Sequence, residues 1–377
     1  MTESQRVEAK QYNWQQLRCD LLDRVLDLAF LLVAALVLAR PLDQWLQHTA
    51  GLDGRWGRLA VLYMLVTLLH FVVSFGLSFY SGFVLEHRFG LSQQSLGRWG
   101  QQYLKRVALT VVFGLFVTLG LYAIIWACGR WWWIVAAGAF FLVSVILGQL
   151  FPVFIMPLFQ KTTRLDDDSL MQRFRALAQG TGLTIEGVYR QDVSGDTVKA
   201  NAQLAGLGRT RRVILDDTLL SNFTEDEIEV IFAHEVGHHV HKHMSKMVAM
   251  GVMYSAGIFL ASDVIFRQYI RSVEGTFSYV DFPVWALPLF TLVFTGFSML
   301  LEPLQNAISR HFERQSDQYA LNCTAKFAAF RSAFHRLAVL NKAHTEPHWL
   351  EVALFHSHPP ISQRLELAER PVGSASA

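Results

Sequence analysis

The sequence predicts a mainly α-helical, polytopic membrane protein of about six transmembrane helices, with a small α+β domain on one side of the bilayer. Three observations carry that reading. The 377-residue chain is 52% hydrophobic, with 28 Phe and 10 Trp and a mean hydropathy of +0.27, an apolar excess typical of membrane proteins. Six apolar runs recur, at about 25–39, 59–85, 107–128, 134–158, 247–266 and 283–304, and all but the first approach or exceed the ~20 residues that span a bilayer as helix. Between the fourth and fifth lies a segment, 160–246, whose turn residues and alternating patterns belong to a soluble fold. The 33 basic against 31 acidic residues argue for neither a nucleic-acid nor an acidic partner.

Residues 1–24 are polar. A lead of that length, with no small-residue cleavage pattern behind the first run, reads as a polar tail ahead of an uncleaved anchor. Residues 25–159 then hold four spans with an inner loop at 86–106, residues 160–246 the soluble insert, residues 247–304 two more spans, and residues 305–377 a C-terminal region on the side of the insert. With the amino terminus inside, the segments 1–24 and 86–106 carry eight Lys and Arg against six in the three opposite loops. That balance leans toward a cytoplasmic insert. Cys19, Cys128 and Cys323 are too far apart in sequence to form a metal motif or a disulfide framework. His70 and Asp263 fall inside apolar runs; a cavity-lining role and a hydrogen-bonded structural role are both open for them, and neither is placed in the site.

The insert reads in order. Asp167-Asp168 opens an amphipathic helix on Leu170, Met171, Phe174, Leu177 and Ala178, stopped by Gly180 and Gly182. Residues 198–205 and 212–216 flank a Gly206–Thr210 turn in the pattern of a β-hairpin. Thr224 and Glu227 form a capping box, and the helix they start carries His234-Glu235-Val236-Gly237-His238. Histidines four apart share one helix face one turn apart, which suits two corners of a tetrahedral zinc site, and the glutamate between them can reach a water on the metal. His241 falls on nearly the same face, but rise excludes it: seven residues span about 10 Å along the axis, whereas nitrogens on one zinc lie roughly 3.5 Å apart. His239, His241 and His243 are therefore read as solvated or as supports behind the ligands, and the third ligand comes from elsewhere.

Depth along the spans locates it. His238 lies nine residues before the fifth run and Glu313 nine after the sixth. If helix continues in both places, each projects about 13 Å from the same membrane edge. Glu302 is the rival acid, but it sits within the apolar run beside Pro303, at the wrong depth. Asp317, one turn beyond Glu313, can accept the far N–H of a ligating histidine and fix its tautomer. The hairpin beside this helix either offers a strand edge to a substrate backbone or only covers the helix.

Six blocks in order carry a resemblance to a known family: FVLEHRFGLSQQSL (83–96), FPVFIMPLFQKTTRL (151–165), KANAQLAGLGRTRRVILDDTLL (199–220), HEVGHH (234–239), NAISRHFERQSDQYA (306–320) and HSHPPISQRL (356–365). The chain resembles the type I CAAX prenyl endopeptidases, integral-membrane zinc metalloendopeptidases. The resemblance implies one zinc ion on His234, His238 and Glu313, and Glu235 as the general base that later passes its proton to the leaving amine. It further implies that Asn201 holds substrate backbone, that His358 donates to the oxyanion, that Arg364 supports the site and that Asp317 orients a zinc histidine. The partners it implies are the lipid bilayer and a peptide or membrane-protein substrate, prenylated or not. A bacterial member, in the inner membrane with its site facing the cytoplasm, is the expectation. Two alternatives stay open: cleavage of damaged membrane proteins, as in the related HtpX-type heat-shock proteases, and a histidine-rich membrane protein that binds or transports metal. Eukaryotic members of the family have seven spans where six are counted here.

Overall fold

The structure, a computed structural model, describes residues 1–48, 51–206 and 211–369. Helix α1 (Glu3–Val33) starts on a Thr2–Gln5 capping box and runs through a π-helical turn (Ala34–Leu38) into α2 (Ala39–His48). The polar residues 1–24 are thus helical and continuous with the first apolar run. Helix α3 (Arg55–Phe79) passes through a second π-helical turn (Tyr80–Leu85) into α4 (Glu86–Arg88). Helix α5 (Leu96–Cys128) is capped by Ser95, reverses at Gly129, where φ is +53°, and returns as α6 (Trp132–Leu150); a π-helical turn (Phe151–Ile155) leads into α7 (Met156–Phe159).

Among the described residues, four helical stretches are long and apolar enough to cross a membrane: 55–88, 96–150, 243–274 and 284–324. The second is the α5–α6 hairpin, because Phe116, Leu121, Ala136 and Phe140 line one cavity. The stretches therefore contain five of the six expected runs. The first run, 25–39, lies in the α1–α2 rod, where Asp27 inside it and Arg24 and Arg40 at its ends dilute its apolar character.

The insert holds β1 (Thr162–Arg164), α8 (Asp168–Ala178), β2 (Gly187–Gln191), β3 (Ala202–Ala205), β4 (Arg212–Asp216), α9 (Asp217–Asn222) and α10 (Glu225–Val240). The strands form one sheet in the order β1-β2-β4-β3. β2 and β4 are parallel, while β3 pairs antiparallel with β4, Ala202 opposite Leu215 and Ala205 opposite Arg212. That is the expected hairpin, with β3 at the edge; residues 207–210 of its turn lie outside the described residues. The remaining helices are α11 (His243–Glu274), α12 (Leu287–Thr324), α13 (Phe327–Leu340), α14 (Trp349–Phe355) and α15 (Ile361–Leu367).

Separate apolar clusters divide the described residues. At the end of the apolar helices remote from the insert, Leu62, Tyr122, Trp126, Trp132, Phe266 and Phe290 close a largely aromatic cluster. Asp263 is satisfied within it, accepting from the Trp132 indole at 2.7 Å and the Tyr279 hydroxyl at 2.8 Å, and His70 pairs with Asp27 at 2.7 Å. In the insert, Val188, Val213 and Leu215 of the sheet pack with Phe174 of α8 and with Phe232 and Val236 of α10. The other flank of α10, Val230 and Ala233, packs on Ala320, Phe330 and Phe334.

Helix α10 is therefore buried on two sides, and its approach to α12 is close. A Cβ on Gly237 would stand 2.9 Å from the Ser316 Cα, nearer than packed atoms tolerate, with backbone rather than a flexible side chain in the way. Gly237→Ala is expected to force the helices apart at a cost of about 1–3 kcal/mol, read as a lowered unfolding temperature of the detergent-purified protein, with weakened metal binding alongside.

Candidate active site

Helix α10 presents His234 and His238 on one face; α12, a single helix from Leu287 through Pro303 to Thr324, presents Glu313 and Asp317 one turn apart. The donors converge. The two histidine Nε2 atoms are 3.1 Å apart, and Glu313 Oε2 and Oε1 lie 3.3 Å and 3.2 Å from Nε2 of His234 and His238 respectively. One ligand atom from each residue falls within 4.8 Å of the others. Depth along the apolar runs points to Glu313, although the helix on the histidine side breaks: α10 ends at Val240, Lys242 is left-handed at φ 54°, and α11 starts afresh at His243. The break is short enough that the ligands still meet.

This cluster fits a divalent metal. Glu313 Oε2 is buried and makes no well-aligned hydrogen bond, although His234 Nε2 stands 3.3 Å away, an arrangement that costs free energy unless a cation faces it. Both Nδ1 atoms are engaged from behind, His234 by Asp317 Oδ1 at 2.8 Å and His238 by the ring of His243 at 3.1 Å, which leaves the Nε2 lone pairs to converge. Glu302, the rival acid, is instead held bidentately by Arg24 at 2.5 Å and 2.7 Å.

Behind His234 sits a buried charged group. Asp317 is fully buried and receives both Arg364 Nε, at 2.8 Å, and its terminal nitrogen. The guanidinium in turn lies over the Phe334 ring, 3.8 Å from its centroid. Burial pushes the Asp317 carboxyl up, but Arg364 and His234 outweigh it and hold it below the ordinary range. For Glu313, burial raises and the two histidines lower, and the histidines win. Burial lowers the His234 imidazole, yet Asp317 and Glu313 raise it to about 9. Glu235, half-buried beside them, is raised by loss of hydration, against the pull of the histidines.

His358 is 63% exposed in its side chain, with Nε2 3.6 Å from Glu313 Oε1. Its segment is tied to α12 by two residues that sequence reasoning did not select: Arg310 donates to the carbonyls of Val352, at 2.7 Å, and His356, at 2.6 Å, and Asn306 donates to that of Leu354 at 2.8 Å. The signal was their spacing, three and seven residues before Glu313 and so on its face of α12. The structure thus brings His234, His238, Glu313, Asp317, Arg364 and His358 together. Asn201 is exposed at the head of edge strand β3, with its Oδ1 accepting the Ala202 N–H at 2.9 Å.

Fold and site together define a membrane metalloendopeptidase. The sequence model of peptidase family M48 matches residues 164–372, and that described as CAAX prenyl protease N-terminal, five membrane helices, matches residues 1–161. The chain belongs to peptidase family M48, whose members depend on metal, and is a multi-pass integral membrane protein. Similar proteins include a CAAX prenyl protease 1 homolog of Taenia solium, 29% identical over 82% of this chain and 71% of its own length. A metalloprotease of Bacillus subtilis named YhfN is 27% identical over 88% and 78%, and CAAX prenyl protease 1 of Saccharomyces cerevisiae 29% over 80% and 70%. The crystal structure of S. mikatae Ste24p shares the fold, with a TM-score of 0.84 over 97% of this chain and 89% of that one at 24% identity. These matches do not favour the HtpX-type alternative.

The raised His234 sets a direction with pH. Metal can take its Nε2 only after the proton leaves, so metal affinity is expected to rise with pH, by up to about tenfold per unit, and to level off above about 9. In the metal-free chain the sign is opposite: the pairing with Asp317 stabilises the fold fully below 6.5, and that contribution is lost as pH rises through about 9. Asp317→Asn is expected to remove most of both effects and to weaken metal binding about 10–100-fold. Chelator competition and thermal unfolding across pH check these expectations.

Proposed function

We propose that this protein is a zinc endopeptidase that cleaves membrane-associated proteins near the bilayer surface, with CAAX-type C-terminal processing as its reaction. The observation that carries the reading is the convergence of His234, His238 and the buried Glu313 Oε2 where α11 and α12 leave the apolar layer.

In this reading His234, His238 and Glu313 hold one zinc ion. Zinc bound there supplies a Lewis acid that acidifies water and polarises the scissile carbonyl. Glu235 takes the proton from the attacking water and returns it to the leaving amine; a carboxyl raised by loss of hydration can hold that proton between the two steps. His358 approaches from the exposed side, where its imidazole donates to the oxyanion. Asp317, anchored by Arg364, keeps the His234 proton on Nδ1 and its lone pair forward. Asn201 and the free edge of β3 take the substrate backbone as an added strand. The active site faces the cytoplasm, in keeping with the excess of Lys and Arg in the short segments on that side.

The match of residues 1–161 to the CAAX prenyl protease amino-terminal model favours prenylated substrates over general quality control. Metal transport is disfavoured because two of the three surplus histidines are occupied, His239 by Arg211 and His243 by His238 and Gln315.

Zinc-loaded protein is expected to cleave a farnesylated CAAX peptide and to leave an unprenylated, unfolded membrane protein intact. Glu235→Gln should lower kcat about 10²–10⁴-fold with zinc content unchanged. Cleavage of the unfolded protein alone would transfer the reading to quality control, and a fully active Glu235→Gln would remove the assignment of the base.

A further inference from the structure

From the contacts behind His238 we infer that His243 and Gln315 form a neutral relay that fixes the tautomer of His238, so that the two zinc histidines are oriented by different chemistry: His234 by a carboxylate, His238 by a second imidazole. The inference rests on the zinc site proposed above and adds positioning residues to it.

With Nε2 of His238 given to the zinc proposed above, one assignment of protons follows. A histidine that gives Nε2 to a metal carries its proton on Nδ1, and that N–H needs an acceptor. For His238 the atom in place is His243 Nδ1, at 3.1 Å. It accepts only if the His243 proton sits on Nε2, and there Gln315 Oε1 waits at 2.9 Å. The chain of donors therefore runs from His238 Nδ1–H to His243 Nδ1, then from His243 Nε2–H to the Gln315 carbonyl oxygen, and it ends on an amide. Reversing it would put a proton on His238 Nε2, which Glu313 Oε1 at 3.2 Å can accept but which would block that nitrogen from the metal.

The ring of His243 is built in. It is 1% exposed and stacked on Phe312, with centroids 4.2 Å apart and planes 12° from parallel. In an unbroken helix a residue five beyond His238 would point well away from it. The left-handed Lys242, at φ 54°, restarts the helix and turns His243 back behind the ligand. Helix α12 then serves both histidines: Asp317 reaches His234 directly, and Gln315 reaches His238 through His243.

Stacking on Phe312 is the competing explanation for a buried His243, and two substitutions separate it from the relay. His243→Phe keeps a ring on Phe312 and removes the acceptor. His243→Asn loses the ring and places Oδ1 close to the position of Nδ1. In full-length protein purified in detergent, zinc affinity by chelator competition should fall about 10–100-fold for His243→Phe and recover to within several-fold of wild type for His243→Asn. Should the metal-free His243→Phe protein fail to fold, Gln315→Leu leaves the imidazole in place but frees its tautomer, and its zinc affinity should still fall severalfold.

Wild-type affinity in His243→Phe, or in Gln315→Leu, would overturn the relay, as would a loss in His243→Asn equal to that in His243→Phe. His238→Ala is the control for the centre itself. If it bound zinc like wild type, the ligand assignment would fail and the relay with it, whereas zinc lost in His238→Ala but retained in His243→Phe would overturn the relay alone.

Discussion

Everything at the site depends on how closely two helices approach. Helix α10 carries the histidines and α12 the acids, and no donor on either can meet the others unless the backbones nearly touch. Gly237 and Ser316 make that contact. A side chain of any size at Gly237 would separate the helices, and the Nε2 to carboxylate distances of 3.2 Å and 3.3 Å would open with them. The residue between the two histidines is thus set by packing across the helix pair, while Glu235, on the other side of the motif, is set by chemistry. Phe232 and Val236 reinforce the arrangement by seating α10 on the sheet, so the helix cannot roll to relieve strain.

The membrane helices fix the height of the site. Helix α12 spans the apolar layer and continues without interruption to Thr324, so the position of Glu313 relative to the bilayer is set by helical rise alone. The same helix ties down the segment that carries His358, through Asn306 and Arg310. One rigid element thereby supplies a metal-facing carboxylate, the anchor for the residues behind both histidines, and the attachment of the substrate-side loop. Rigid support of this kind holds a constellation more closely than loops can.

Much of this was legible in the sequence, and the reasons differ by residue. His234, Glu235 and His238 are local in sequence, so helical periodicity sufficed. Glu313 needed a long-range argument, in which a membrane lends both helices a common origin of depth, and the structure brings its carboxylate beside the two histidines. The β3–β4 hairpin followed from alternation around a glycine turn. Less was legible where a contact depends on a break in the helix: His243 could not be distinguished from His239 and His241, because its direction is set by the left-handed Lys242, and nothing in a histidine-rich run announces that conformation. The helical state of residues 1–24 was hidden for a related reason. Their polarity describes the surface they face, and their contacts come from elements distant in sequence, such as Phe89, which packs on Tyr12, and Lys342, whose carbonyl accepts from Asn13.

The buried charges obey a balance that metal binding preserves. Asp317 and Arg364 neutralise one another in the interior, which leaves the anionic Glu313 to be matched. Without metal the match is a proton on His234, raised to about 9 by the carboxylates around it. With metal the cation takes over, and the proton leaves. Burying an unmatched carboxylate costs several kcal/mol, so the folded chain favours one of these two occupants over an empty, fully deprotonated centre. Placing a neutral imidazole rather than a second carboxylate behind His238 keeps that balance: another buried anion would demand another cation, whereas the relay through His243 to Gln315 orients the ligand and adds no charge.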